Sequence, residues 1–312
     1  MKDFEYTAPE TLRQAVKLLA EKGEAARILA GGTDLIVQMR GRRFQPDRVV
    51  DVKKIPEVNE LTFSPRKGLR IGAAVPCHAI YKNTDVIERF AGLVDASMII
   101  GGIQIQGRAT LGGNLCNASP SADSIPMLIG YGAIAEIQGP DGKRKLPVEE
   151  FCTGPGRNAL KPAEMLVCLQ IPQNKNNTGA HYLRFIPRNE MDIAVVGVGA
   201  FVELGGRGKA QTFKKARIAL GAVGPTPIFA EAAGAGLEGR PVNEDSINAA
   251  AEAAKLVATP ISDMRGPAEY RTHLVGVLTK RALIGAVKRA RGEHVPNAVQ
   301  EHDNGHSVYT LS

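Results

Sequence analysis

The chain has 312 residues, of which 44% are hydrophobic and 23% charged, an ordinary globular composition that excludes a low-complexity or disordered chain. Its formal net charge of +7 comes from scattered lysines and arginines, and the small aromatic share of 5%, with no Trp, disfavours a base-stacking nucleic-acid groove. No apolar run approaches the roughly 20 residues of a membrane span and no signal peptide is visible, so we expect a cytoplasmic protein.

The first 52 residues read as an α/β unit. Apolar residues have helical spacing over 11–22, and short strands are predicted at 26–30 and 48–52 with a helical turn between them at 34–39. The glycine turn at 31–32 therefore follows the carboxyl end of a strand. Open α/β sheets bind their ligands at that edge.

The next segment mixes strands and helices up to about residue 171. A turn signal at Pro140-Asp141-Gly142 predicts that the two middle strands pair as a hairpin, and a glycine-dense stretch lies at 101–114. Strands are predicted at 69–75, 133–137, 143–146 and 165–171, and helices at 77–89 and 92–100.

A polar, turn-rich stretch at 173–178 is the best domain boundary. Three strand-like runs and then three helical runs follow it, which indicates an α+β domain with a three-stranded antiparallel sheet. The runs lie at 181–186, 193–204, 216–223, 229–237, 245–257 and 268–289. The predicted domains are 1–175, with lobes at about 1–55 and 56–175, and 176–291, with an extended tail at 292–312.

Two glycine turns carry the polar groups best suited to a ligand. The first is Gly31-Gly32-Thr33-Asp34, and the second lies in Thr110–Asp123, TLGGNLCNASPSAD. Adjacent glycines let the main chain approach a ligand closely and expose consecutive N–H groups, which can hold phosphate oxygens. Each turn alone is also compatible with a plain structural role, but two in one domain favour a phosphate-rich ligand held at both.

Asp123 is placed either to accept a hydrogen bond from a ribose hydroxyl or to cap the helix before Ile125. The common nucleotide motifs are absent, since there is no G-x-G-x-x-G, no Walker sequence and no nucleophile elbow. The residues therefore do not identify the ligand.

The cysteines and histidines have no metal-ligand spacing. The four cysteines are dispersed without a C-x-x-C pair, which disfavours a disulfide framework and a zinc or iron–sulfur site made by this chain alone. We therefore predict no metal site here. The cysteines are Cys77, Cys116, Cys152 and Cys168.

Both turns, with the residues that follow them, resemble the FAD-binding loops of the medium subunit of molybdenum hydroxylases, the family of xanthine dehydrogenase and carbon monoxide dehydrogenase flavoproteins. The likeness extends in one order over about residues 1–290. It continues through Ser119-Pro120, Glu164-Met165-Leu166, Arg188–Ala194, Ala219–Val223, Thr226-Pro227, Leu237–Gly239, Tyr270-Arg271 and Arg281–Leu283.

The resemblance implies an α+β fold, with a two-lobed FAD-binding domain of the vanillyl-alcohol-oxidase (PCMH) type followed by the smaller α+β domain. It also implies that the FAD pyrophosphate lies between the two turns. The FAD contacts that it implies are Ile28, Leu29, Ala30, Gly31, Gly32, Thr33, Asp34, Leu35, Ile100, Thr110, Leu111, Gly112, Gly113, Asn114, Asp123, Leu166 and Arg184.

Two positions depart from the family pattern. Arg184 stands where many relatives have Lys, and a planar, forked guanidinium makes a different contact from an ammonium. Gln106 replaces an arginine that relatives often carry in the segment 103–106, and whether Arg108 compensates stays open.

The resemblance further implies an electron-transfer subunit with no catalytic residue of its own, because the flavin supplies the chemistry. A large partner subunit with a molybdenum cofactor would oxidise the substrate, and a small partner with two [2Fe–2S] clusters would deliver electrons to FAD. The acceptor would be NAD, a quinone or another oxidant, and the assembly a dimer of heterotrimers. The alternatives are a stand-alone FAD-dependent oxidase and a scaffold subunit without FAD.

Overall fold

A computed structural model describes residues 1–188 and 191–296 of the chain. Within these residues the strands form a three-stranded, a five-stranded, a four-stranded and a two-stranded sheet. Three hydrophobic clusters accompany the three larger sheets. In the described part of the chain, no helix combines the length and the apolar character needed to cross a bilayer.

The first unit is a parallel sheet in the order β1-β3-β2. Its elements are β1 Glu5–Thr7, α1 Leu12–Lys22, β2 Ala26–Leu29, α2 Leu35–Arg40 and β3 Arg48–Asp51. Thr11 begins α1 because its side chain accepts a hydrogen bond from the N–H of Gln14, a cap worth about 1 kcal/mol. The glycine turn follows β2 as predicted, whereas the sequence did not predict β1, which is too short for a periodic signal.

The second unit is an antiparallel sheet in the order β4-β5-β10-β6-β7 with helices packed against it. The elements of this unit are β4 Leu61–Ser64, β5 Gly68–Gly72, α3 Cys77–Tyr81, α4 Thr84–Arg89, α5 Ala91–Ser97, α6 Ile103–Gln106, α7 Leu111–Asn117, α8 Ser124–Gly130, β6 Ile134–Gly139, β7 Gly142–Pro147, β8 Cys152–Gly154, β9 Arg157–Asn158 and β10 Met165–Ile171. The predicted hairpin is present as β6 and β7.

The single helix predicted over 77–89 is wrong. The chain leaves the helical path at Asn83, whose side chain accepts a hydrogen bond from the N–H of Val86 and so begins a new helix, α4. Asn commonly competes with the helical backbone in this way, which favours caps over helix interiors.

The third unit is an antiparallel sheet in the order β11-β12-β13-β14, covered by α11. Its elements are β11 Thr178–Phe185, β12 Val196–Gly205, β13 Thr212–Gly221, β14 Ile228–Phe229, α9 Glu231–Ala235, α10 Glu244–Val257 and α11 Ala268–Ala290. The three predicted strands are present, and the two-residue β14 makes a fourth. Of the predicted tail, 297–312 lies outside the described residues.

Strand β11 joins the second and third units because its side chains alternate between two cores. Ala180 and Tyr182 belong to the cluster of the second unit, whereas Leu183 belongs to that of the third. Side chains at odd and even positions of a strand point to opposite faces, so one strand can serve both cores. The backbones of β11 and α11 lie close together, since a Cβ built on Gly179 would overlap the carbonyl oxygen of Ala286.

We expect Gly179→Ala to lower the free energy of unfolding by about 2 kcal/mol or more, because the added methyl forces α11 away from β11. Gly107→Ala is the matched control. Gly107 has an ordinary φ of −70° and no atom within 4 Å of a built Cβ, so the free energy of unfolding of the Gly107→Ala variant should stay the same or rise slightly. Urea denaturation of both variants measures the difference, and equal midpoints would contradict the close packing.

Candidate functional site

The first glycine turn is held by close backbone packing. A Cβ built on Gly31 would overlap the carbonyl oxygen of Arg108, so this position has no room for a side chain. Gly32 has φ +80°, in the left-handed region that favours glycine. The Nε of Arg108 also donates to the carbonyl of Gly31 at 3.4 Å. The turn therefore touches the segment that immediately precedes the second turn.

The second turn begins helix α7. Thr110 caps the helix, since its Oγ1 accepts a hydrogen bond from the N–H of Gly113 at 2.8 Å. A Cβ on Gly112 would lie 2.5 Å from the carbonyl oxygen of Ala73, so glycine lets α7 pack directly on the chain after β5. Asn114 accepts from the hydroxyl of Ser124 at 2.6 Å, which ties α7 to α8.

A further contact joins the helices that follow the two turns. The Nε2 of Gln38, on α2, donates to the Oδ1 of Asn117, on α7, at 3.1 Å. Together with the contact between Gly31 and Arg108, this bond places the two turns side by side across the first and second units.

Polar side chains of the first turn remain available to a ligand. Within the described residues, the hydroxyl of Thr33 and the carboxyl of Asp34 make no hydrogen bond to protein. Asp34 is exposed, yet the surrounding protein partly desolvates its carboxyl and raises its pKa. A group that is open to solvent but flanked by protein is well placed to accept from a ligand.

Asp123 lies at the boundary between the second and third units and is 8% exposed. Its Oδ2 accepts from the Nη1 of Arg184 at 2.8 Å, and its Oδ1 accepts from the hydroxyl of Tyr182 at 2.9 Å. Burial raises the pKa of Asp123 to about 6, because desolvation outweighs the attraction of Arg184 and the hydrogen bonds. The helix-cap alternative is wrong, since the carboxylate makes no cap bond with α8.

Sequence reasoning missed Tyr182. A signal was present, because residues two apart on a strand share a face, so Tyr182 had to lie beside Arg184. Which carboxylate they would reach was not visible, since Asp123 is some 60 residues away along the chain and the pairing depends on how the units pack.

The remaining predicted contacts are buried or half-buried. Ile100, Leu111 and Leu166 belong to one hydrophobic cluster. The half-buried residues of β2 and the turn are Ile28, Leu29, Ala30, Gly31, Gly32, Thr33 and Leu35, while Gly113 and Asn114 are half-buried on α7.

Gln106, which departs from the family pattern, holds the loop that follows Ile100. It is buried, with its Nε2 donating to the carbonyl of Met98 at 2.6 Å and its Oε1 accepting from the hydroxyl of Tyr81 at 3.0 Å. Arg108 is directed to Gly31 instead. Gln106 is thus a neutral structural support of this loop. Two cations reach the first turn, since Arg108 donates to Gly31 and the Nζ of Lys53 donates to the carbonyl of Ala30 at 3.3 Å.

Two family descriptions match the chain. The one described as "FAD binding domain in molybdopterin dehydrogenase" matches residues 2–174, and "CO dehydrogenase flavoprotein C-terminal domain" matches 181–286. The chain is 33% identical over 295 residues to a putative xanthine dehydrogenase FAD-binding subunit of Escherichia coli, covering 94% of this chain and 99% of that protein. It is 33% identical over 290 residues to the carbon monoxide dehydrogenase medium chain of Afipia carboxidovorans, covering 92% and 98%.

Solved structures show the same architecture. Carbon monoxide dehydrogenase from Hydrogenophaga pseudoflava matches with a TM-score of 0.86 at 32% identity, over 92% of this chain and 98% of that chain. Quinoline 2-oxidoreductase from Pseudomonas putida matches with a TM-score of 0.84 at 28% identity, over 93% and 99%.

The residues at the two turns fit a dinucleotide. Its pyrophosphate needs main-chain amides at close range, such as those of glycine turns. Packing within the protein also requires glycine at Gly31 and Gly112, where a Cβ would overlap Arg108 and Ala73. Thr33 adds a hydroxyl that has no protein partner among the described residues, and Asp123 keeps acceptor capacity beyond its two hydrogen bonds.

We expect Gly31→Ala to weaken FAD binding at least tenfold, because the added methyl pushes the first turn away from Arg108 and separates the two turns. Gly41→Ala is the control at the other end of α2, where a built Cβ has its nearest atom, the carbonyl oxygen of Val37, at 3.4 Å. FAD titration of the flavin-free chains by fluorescence quenching measures both affinities. Equal losses in the two variants would contradict the close contact of the turns.

Proposed function

This chain belongs to the FAD-binding subunits of the molybdenum hydroxylase family, and we propose that it is the electron-transfer subunit of such an enzyme. It is an oxidoreductase subunit that works within a complex. A large partner subunit with a molybdenum cofactor oxidises the substrate, and a small partner with two [2Fe–2S] clusters delivers the electrons to FAD. The acceptor is NAD, a quinone or another oxidant, and the proposed assembly is a dimer of heterotrimers in the cytoplasm.

The close approach of the first glycine turn to residues 108 and 109, which lead into the second turn, is the observation that carries this proposal. Gly31 lies against Arg108, and Gln38 reaches Asn117, which supports one ligand bound by the amides of both turns. A single glycine turn is often structural, whereas two adjacent turns on different units support a ligand that spans both.

The proposed FAD contacts are those that the family pattern implies. Residues 28–35 and 110–114 would hold the pyrophosphate and its neighbouring groups, and Asp123 would accept from a hydroxyl or N–H of the cofactor. Arg184 forms an ion pair with Asp123, with 2.8 Å between Nη1 and Oδ2. Its effect on FAD binding is therefore exerted partly through the Asp123 carboxylate. Ile100 and Leu166 supply apolar surface, which suits the flavin ring.

The iron–sulfur clusters are assigned to a partner because the cysteines of this chain are unsuited to them. Burial raises the pKa of Cys77, Cys116 and Cys168 to about 12 and that of Cys152 to about 11. Cluster ligands are cysteine thiolates gathered around the iron atoms, whereas these four cysteines are dispersed along the chain and each is buried or half-buried. Within the described residues, moreover, no group of three or more His, Cys, Asp or Glu is placed to hold a metal.

Flavin, when bound, accepts electrons one or two at a time, which matches a one-electron cluster to a two-electron acceptor. The chain itself binds the cofactor and orients it. Gln106 and Tyr81 fix the loop after Ile100 through hydrogen bonds between neutral groups. No charged side chain is needed to hold this loop in place.

The test is to purify the chain with its partner subunits, reduce the complex with limiting dithionite, and follow reoxidation in a stopped-flow instrument with NAD or with a quinone. We expect one acceptor to reoxidise both flavin and clusters rapidly. In a complex carrying Gly31→Ala and depleted of FAD, the clusters should still be reduced by dithionite. Their reoxidation should slow at least tenfold, because electrons can no longer pass through FAD to the acceptor.

Two results would contradict the proposal. Equal reoxidation of the clusters without FAD would indicate a scaffold subunit. Turnover of an oxidisable substrate by the isolated FAD-loaded chain, at the rate of the complex, would indicate a stand-alone oxidase.

A further inference from the structure

Tyr182 lies where two buried carboxylates of the second unit meet strand β11. Its backbone N–H donates to Asp95 Oδ2 at 3.2 Å, and its hydroxyl donates to Asp123 Oδ1 at 2.9 Å. Tyr182 and Asp95 are each 1% exposed. One residue of the third unit is therefore hydrogen-bonded to both acids.

The neighbouring strand leaves space for this hydroxyl. Gly197 on β12 pairs in register with Arg184, and a Cβ built on Gly197 would lie 2.5 Å from the Tyr182 hydroxyl oxygen. Glycine inside a strand often marks such a close approach. Any side chain at position 197 would displace the hydroxyl from Asp123.

The two carboxylates differ in the number of their donors. Asp95 accepts from Arg289 twice, from the Tyr182 N–H and from His181, and despite burial its pKa is lowered, mainly by Arg289 and His181. In the part of the chain that the structure describes, Asp123 accepts only from the hydroxyl of Tyr182 and one nitrogen of Arg184. Each donor stabilises the ionised carboxylate, so Asp123 depends far more on each one than Asp95 does.

Few other groups influence Asp123. Within the described residues, the titratable and charged groups that act on it are Tyr182 and Arg184, both on β11. Its neighbour on α8, Ser124, bonds to Asn114 of α7, and neither side chain titrates. Burial is the largest influence on the ionisation of Asp123, and the charge and hydrogen bonds that oppose it come from the third unit.

We propose that Tyr182 is a positioning residue for FAD, whose hydroxyl, together with Arg184, holds the Asp123 carboxylate ionised and oriented to accept a hydrogen bond from the cofactor. The inference rests on the proposed function, in which Asp123 contacts FAD. It gives the C-terminal domain an indirect part in FAD binding, because the donors that hold Asp123 come from β11.

A pH dependence follows from this role. Ionised Asp123 accepts a hydrogen bond from a hydroxyl or N–H of FAD, whereas the protonated carboxyl has less acceptor capacity. FAD affinity should therefore be highest above the pKa of Asp123 and fall as the pH drops through about 6. Removing a donor to the ionised form moves this midpoint upward.

The experiment measures the dissociation constant of FAD for the full chain between pH 5.5 and 8.5. In Tyr182→Phe we expect the midpoint to rise by about one pH unit, since a hydrogen bond to a charged group has roughly this effect on ionisation. Affinity would then be roughly threefold weaker at pH 6.5 and close to that of the unchanged chain at pH 8.5.

Tyr131→Phe is the matched control. Tyr131 is also buried, at 7% exposure, but its hydroxyl accepts from the N–H of Gly92 and does not reach Asp123. It should lose stability without a shift of the pH midpoint. Gly197→Ala provides a second test, because it keeps the hydroxyl but displaces it, and it should shift the midpoint in the same direction as Tyr182→Phe.

The outcomes separate the inference from the function it rests on. If the unchanged chain binds no FAD at any pH, the proposed function fails and the inference fails with it. If the chain binds FAD but Tyr182→Phe, Gly197→Ala and Tyr131→Phe share one midpoint, Tyr182 is merely structural and the inference alone is overturned.

Discussion

Two buried carboxylates, Asp95 and Asp123, connect the FAD-binding part of the chain to its C-terminal domain, and both are held from β11. An ionised carboxylate in a protein interior is destabilising by several kcal/mol unless it is paired and hydrogen-bonded. Asp95 meets this condition, and its pKa is lowered, whereas Asp123 has fewer donors and a raised pKa. Asp95 therefore acts as a structural link, and Asp123 keeps the acceptor capacity that a ligand can use.

At three glycines of the fold, backbone packs directly against backbone. Gly31 lies against Arg108, Gly112 against Ala73 and Gly179 against α11. Contacts of this kind leave little freedom, because main-chain atoms cannot move aside as the end of a long side chain can. The separation of the two turns is thus fixed by the packing of the first unit on the second, and the orientation of Asp123 by the packing of the third.

The sequence allowed prediction of whatever depends on local pattern. Long elements such as α11 and β10 have clear periodicity, and the two turns were recognisable from adjacent glycines with polar neighbours. The break at Asn83 and the short strands β1 and β14 were not predictable, because a cap or a two- or three-residue strand leaves no periodic signal. The partners of Asp123 were hidden for another reason: they come from a different unit, and only the packed fold selects them.

A structure of the chain with FAD bound tests the pairing of the two turns most directly, and the quantity to measure is the distance from the pyrophosphate oxygens to the main-chain nitrogens of both turns. We expect the pyrophosphate within hydrogen-bonding distance, about 3 Å, of amides in 31–34 and in 110–114 at once. We also expect an FAD hydroxyl or N–H on Asp123. A pyrophosphate bound at only one turn, or FAD lying elsewhere on the chain, would contradict the shared site.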